Sequence, residues 1–280
     1  MVTRAGRQLA ILLTMTIGLA LFAAYGPHSK PGPDAERLTT LLPTQITQIR
    51  LERPGRDPIA LKHDGNKWRV TAPILARANP IRADALASLA GASSNVVYAR
   101  ADVKAKALGL GATALVLRLN DTILRIGTRE EVRGLRYVQN AGRVFLLQDR
   151  FYHHVSATTA GYVDLALFDR AKRIVSIKTP EISLESAASG LLWQPRSAFP
   201  SADQAATWLA TWRNISALAV SFTDYSAKWH PAATVIFETG KSERFVYRSE
   251  QGRVWIARPE TDFQYEIPTS HAKTLGLLEP

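Results

Sequence analysis

The chain of 280 residues contains no cysteine. That removes disulfide frameworks, thiolate metal sites, cysteine nucleophiles and lipid-carrying cysteine anchors together. Metal-ligand spacing is missing too. The six histidines, His28, His63, His153, His154, His230 and His271, include no pair four residues apart, the spacing that sets two ligands on one helix face. His153 and His154 are neighbours whose side chains are expected to diverge if helical. No Gly-x-Ser-x-Gly elbow presents a serine nucleophile. Glu130 and Glu131 sit in the polar "TREEVRG", with no apolar surroundings to raise a carboxyl pKa.

Two glycine motifs also fall short. In "LGLGATA", residues 108–114, Gly109, Gly111 and Ala114 have the spacing of a dinucleotide-binding turn. That turn must follow a strand and open a helix. Here the glycines follow a helix-like segment and precede the strand-like "ALVLRL", where a helix cap and turn are the simpler use. "ETGKSE", residues 238–243, carries Gly-Lys-Ser, but a phosphate loop needs an earlier glycine where Val235 stands. It is read as a hairpin turn. The expectation is no catalytic residue, no metal and no small-molecule cofactor.

What is present begins at the N-terminus. Residues 8–25, "QLAILLTMTIGLALFAAY", carry no charge and follow "MVTRAGR". A run of about 18 apolar residues approaches the length that crosses a bilayer. Arg4 and Arg7 place residues 1–7 in the cytoplasm by the positive-inside rule. A cleaved signal peptide has the same order of charge and apolar run, but "LFAAYG" offers no clean pair of small residues for cleavage. The reading is an uncleaved transmembrane anchor with the bulk of the chain exported. Residues 26–45 form the linker, opening on "GPHSKPGPD", whose three prolines and two glycines make a semi-extended spacer.

The net charge of +11 is unevenly placed. Residues 46–169 hold 18 basic and 11 acidic side chains, whereas residues 170–280 hold 13 and 11. The basic residues are scattered and never form a block of five or six, so nucleic acid is not an expected partner.

From residue 46 onward short alternating stretches separated by turn residues predict half-buried antiparallel strands. "ITQIRLE", "PIALKH" and "KWRVTA" form an opening meander, with a tight turn at the Asp-Gly of "HDGNK". "PIRADALASLAGA", residues 80–92, then sets Ile81, Leu86, Leu89 and Ala90 near helical spacing. Strand patterns follow in "NVVYA", "TALVLRLNDTILRIG", "LRYVQ" and "RVFLLQ".

The same order returns later in the chain. "IVSIKT" corresponds to "ITQIRLE", "ISLESA" with "GLLWQPRSA" to the Trp68 hairpin, "SADQAATWLATW" to the helix, and "ISALAVSF" to "NVVYA". "ATVIFETGKSERFVYR" and "DFQYEIPTSHAKTLG" complete the series. "GRVF" at 142–145 and "GRVW" at 252–255 are alike in letters but fall on successive strands. The predicted architecture is α+β: two related units of mainly antiparallel strands with packed helices, residues 46–169 and 171–278, after one N-terminal transmembrane helix.

Trp68 and Trp193 occupy matching places and are read as fold markers, each packing between its hairpin and the following helix. Trp208 and Trp212, four apart, fit packing on a sheet. Trp229, in the loop-like "SAKWHPA", together with Arg129, Arg133 and Arg136, is the candidate interaction surface, because aromatics beside cations stack on glycans or line protein interfaces.

The first unit resembles the domain of unknown function 4340 family. The resemblance lies in "ITQIRLERPGRDPIALKHDGNKWRVTAPI", "RADALASLAG", the "ALGLG" turn, and "LRLNDTILRIGT" leading to "LRYVQNAGRVFLLQD", within residues 44–169. It implies a bacterial protein anchored in the inner membrane through residues 8–25 with an exported, periplasmic domain, in a family with members associated with ABC-type transport or gliding-motility auxiliary roles. It implies no catalytic residues. The function expected is a non-catalytic accessory or scaffold of an envelope or transport-related complex, with a protein partner in the envelope. The alternatives are an envelope hydrolase with a site assembled from distant residues, or a binding module for anionic lipid or glycan.

Overall fold

The computed structural model describes residues 35–169, 171–186, 193–195 and 202–277. The proposed anchor, residues 8–25, lies outside them. Among the described residues no helix is long and apolar enough to cross a membrane.

The first part of the chain comprises β1 (Glu36–Arg37), β2 (Gln48–Arg53), β3 (Arg56–His63), β4 (Trp68–Ala72), β5 (Ala76–Arg77), α1 (Pro80–Ser88), β6 (Ser93–Ser94), β7 (Val97–Ala99), β8 (Leu115–Leu119), β9 (Thr122–Arg129), β10 (Leu135–Asn140), β11 (Arg143–Gln148) and the single turn α2 (Tyr152–Val155). The second comprises β12 (Ile174–Lys178), β13 (Ser183–Ser186), β14 (Trp193–Pro195), α3 (Ala202–Asn214), β15 (Ala219–Phe222), β16 (His230–Phe237), β17 (Ser242–Glu250), β18 (Arg253–Ala257), β19 (Phe263–Ile267) and α4 (Thr269–Thr274). The fold is strand-rich α+β with few helices.

Two large antiparallel sheets result. Their strand orders are β5-β4-β3-β2-β8-β9-β10-β11-β7 and β14-β13-β12-β16-β17-β18-β19-β15. In each, a meander joins through its first strand to a second, four-stranded meander, and the last strand of that pairs with the strand following the long helix. β11, which contains most of "GRVF", is the last strand of its meander, whereas "GRVW" lies at β18, the last but one.

Local chemistry sets the turns. Between β3 and β4, Gly65 takes φ +89°, which side chains resist. The Asp64 carboxylate accepts from the amides of Asn66 and Lys67 and from Arg69. Those bonds, the Lys67 amide foremost, bring its pKa down to about 2. The Gly-Lys-Ser segment is the β16–β17 hairpin, with Gly240 at φ +79°.

Alternation along β2 sends Ile49 and Leu51 inward, and Ile59 and Leu61 of β3 join them. α1 is capped by Asn79, whose side chain accepts from the Arg82 amide, and it starts with Pro80, the position where a missing N–H is harmless. Its buried face is Ala83, Leu86 and Ala87, whereas Ile81 is 74% exposed. Ile81 stands at the first turn, where 3.6-residue geometry turns it away from the Ala83 face. In the second sheet Trp208 and Trp212 are buried on α3 and contact each other edge to face.

Two boundaries move from the sequence expectation. Residues 36–45, assigned to the linker, belong to the fold. β1 pairs with β6, Leu38 is buried in the first core, and Thr39 Oγ1 donates to the Ala90 carbonyl at 2.7 Å. At the other end of the first unit, residues 160–168 form a strap shared by both sheets. On one side the Asn79 amide donates to the Tyr162 carbonyl at 2.7 Å and the Asp164 amide to Arg77 at 2.9 Å. On the other, the Leu167 amide donates to Ile215 at 3.2 Å and the Ala217 amide to Leu165 at 2.8 Å. Tyr162 enters the first core, and Val163, Leu167 and Phe168 enter the second. Ile74 and Ala76 pack against both.

Candidate functional site

The strap and the Trp68 hairpin enclose a cleft of about 480 Å3 at the junction of the two sheets. The hairpin turn delivers Lys67, β4 begins with Trp68, α1 contributes Asp84, the strap contributes Asp164, and Asp169 follows directly after it. Trp68 is 6% exposed, and its Nε1 donates to Asp84 Oδ1 at 2.9 Å. His63 meets its ring edge-on at 4.9 Å between centroids. The indole ties the hairpin to the helix and lies closed in the wall of the cleft.

The other carboxylates are also engaged. Lys67 Nζ lies 2.7 Å from Asp169, and Arg77 Nε lies 3.4 Å from Asp164 while Arg77 Nη2 donates to the Ala166 carbonyl. The bond from Lys67 holds the Asp169 carboxyl below the usual range. General acid catalysis needs a carboxyl kept protonated near neutral pH. Asp169 is displaced the opposite way. Both charge pairs tie the first sheet to the connecting segment at 164–169.

A larger cleft of about 930 Å3 opens at one end of the first sheet. Its lining includes Arg133, Arg150, His153 and His154 and, among the described residues, no Asp or Glu. The two histidines do not diverge as expected, since their ring centroids lie 3.8 Å apart. α2 is one turn long, and its carbonyls are gripped from outside: Arg82 Nη1 donates to His153 O at 2.8 Å, and the Tyr162 hydroxyl donates to His154 O. Burial, followed by the charges of His153 and Arg82, brings the His154 pKa down to about 4. His154 is therefore neutral near pH 7. No group of three or more His, Cys, Asp and Glu side chains able to hold a metal ion occurs among the described residues.

Of the four residues expected to form an interaction surface, Arg129 and Arg136 stand opposite each other in the β9–β10 register and share Asp149, with Arg133 in the same hairpin, whereas Trp229 lies apart from them beside β16. Arg136 is the clearest departure, being 7% exposed. Its Nε and Nη2 donate to the two oxygens of Asp149, the latter at 3.0 Å, and its Nη1 donates to the Gly127 carbonyl at 2.8 Å. The Tyr152 ring covers its guanidinium at 3.5 Å. Arg136 shares the inward face of β10 with Val138, and Asp149 compensates its charge there. Arg129 and Arg133 are exposed at the β9–β10 hairpin, where Arg129 donates to the Gly134 carbonyl and Arg133 lies 3.9 Å from Glu130.

Trp229 lies in the loop just before β16 and is half-buried, its Nε1 donating to the Asp224 carbonyl at 3.0 Å. Arg248 lies between two indoles, 4.0 Å from the Trp255 centroid and 5.7 Å from that of Trp229. Sequence reasoning missed this stack, although alternation could have found it, since Arg248 stands opposite Trp255 in the β17–β18 register. Trp193 opens β14 and pairs with Ser186 through its backbone; its side chain lies outside what is described.

The "LGLGATA" turn packs against β9. Gly109 has φ +69°, and a Cβ on Gly127 would meet the Leu108 carbonyl at 2.3 Å. Those glycines permit close approach of two backbones. Comparison with protein-family models, with curated proteins and with solved structures finds no match for this chain.

Proposed function

We propose that this chain is a non-catalytic, single-pass bacterial inner-membrane protein whose exported α+β portion serves as an accessory or scaffold in an envelope or transport-related complex. The carrying observation is the junction: main-chain bonds from both sheets to one strap, reinforced by Lys67–Asp169 and Arg77–Asp164. Such a joint holds two surfaces in a fixed relation, which is what a scaffold requires, and it engages the cleft carboxylates a hydrolase would need. The common strand order supports reading the two units as copies of one module. Kinship with the domain of unknown function 4340 family is part of this reading, carried by the segments within residues 44–169.

The test is fractionation with proteolysis from outside the inner membrane, followed by affinity purification from gently solubilised membranes. The expected result is an externally cleaved, membrane-associated chain that co-purifies with an integral envelope protein. A chain found in the cytosol overturns the reading.

A further inference from the structure

The β2–β3 hairpin is built on "RPGR", and its register sets Arg53 directly opposite Arg56. Like charges facing each other across a hairpin destabilise it unless something compensates. No carboxylate pairs with either arginine among the described residues. Arg53 Nη1 donates to the neutral Ala157 carbonyl, and its Nε is buried without a partner. Burial of Arg53, with Arg56 adding to it, lowers the arginine's affinity for its proton. The hairpin therefore carries a cationic pair with unused donor capacity.

The hairpin forms one wall of a cleft of about 440 Å3, within the size range of small-ligand sites. Opposite lie Thr113 of the glycine turn, Thr128 of β9 and Ser156 beyond α2. Their hydroxyls make no hydrogen bond to the protein among the described residues. Arg136 and Tyr152 complete the lining, with Arg136 already neutralised by Asp149. Among the described residues no Asp or Glu lines this cleft. Two uncompensated guanidinium groups, free hydroxyls and absent carboxylates are complementary to a compact oxyanion with several acceptor oxygens.

We infer that this cleft binds a phosphate group, supplied by a free phosphate compound or by a phospholipid headgroup, with Arg53 and Arg56 as its principal ligands. The site requires only the folded residues and does not rest on the scaffold reading. Bound phosphate would lie against both arginines and offset their repulsion.

The experiment uses the full-length protein in an uncharged detergent. Isothermal titration and thermal unfolding are followed with inorganic phosphate, with sn-glycero-3-phosphoglycerol as a soluble headgroup, and with sodium chloride at matched ionic strength. Both phosphate probes are expected to bind and raise the unfolding temperature beyond the chloride control. Tighter binding of the glycerophosphodiester identifies a lipid source; tighter binding of inorganic phosphate identifies a free one. Arg56→Ala, at an exposed position, is expected to weaken binding about tenfold, as for loss of one charge-assisted hydrogen-bonding group. Arg56→Lys should recover part of it, and Arg244→Ala in the second sheet should leave it unchanged. Equal responses to phosphate and chloride, or native binding in Arg56→Ala, overturn the proposal.

Discussion

Leu167 lies in the strap that both sheets share, fully buried in the second core, and its amide donates to Ile215. Leu167→Ala removes buried side-chain atoms and leaves a cavity, costing about 2–5 kcal/mol. With a urea dependence of about 3 kcal/mol/M, at the upper end for small proteins, the unfolding midpoint should fall by about 0.7–1.7 M. The informative part is which signals move. Five of the six tryptophans lie after residue 170, so intrinsic fluorescence reports mainly on the second sheet, while far-ultraviolet circular dichroism reports on both. If the strap joins the sheets into one cooperative body, the two probes give coincident transitions in the native chain and shift together in Leu167→Ala. Two resolved dichroism transitions, with the substitution moving only the one tracked by fluorescence, would refute the strap as a joint.

Trp68→Phe should cost about 1 kcal/mol, the worth of a typical hydrogen bond, because the exposed Asp84 carboxylate is rehydrated once its partner is gone. A double-mutant cycle with Asp84→Ala, read by urea denaturation, should show that coupling, and strict additivity would dismiss the bond as the tie. Arg136→Met should destabilise by about 3–5 kcal/mol by leaving Asp149 without its bidentate partner, whereas Arg133→Ala should stay within about 0.5 kcal/mol. Similar urea midpoints for the two variants would contradict that contrast. His154 has a folded pKa depressed to about 4 against an ordinary value of 6.5. The unfolded chain takes up the proton first, so its contribution is fully present above about 6.5 and is lost as pH falls toward 4. His154→Gln should therefore show a smaller drop in melting temperature between pH 7 and pH 5 than the native chain, and an unchanged drop would count against the buried neutral imidazole.

Much of the strand succession could be read from the residues themselves: strands such as β2 and β4 have one face in a core and alternate with a period of two, while β11 and β18, buried along most of their length, stand out as apolar runs. The strap could not be read that way. Its "YVDLALF" pairs on one side with residues 77–79 and on the other with residues 215–217, and nothing in a local pattern names partners that distant. Residues 36–45 were hidden similarly, since Leu38 and Thr39 are anchored to residues as distant in sequence as Ala92 and Ala90. Arg136 misled through its charge: its position on β10 shares the Val138 face, and only Asp149, on the far side of β11, explains why a guanidinium is tolerated there. The phosphate cleft had a faint signature in "RPGR", a tight turn with a cation on each side, but its second wall comes from the glycine turn and β9.

An open sheet ends in strands whose outward N–H and C=O groups can template the addition of a foreign strand, a route to aggregation. The strap runs alongside the β5 end of one sheet and the β15 end of the other, so a single segment caps two such borders. Among the described residues, the outer borders that remain are β7 and β14, each three residues long. Strands that short give an incoming chain little to register against. The connection between the units thus also works as a guard against self-association, and loosening it by substitution should favour insoluble material before it affects any binding surface.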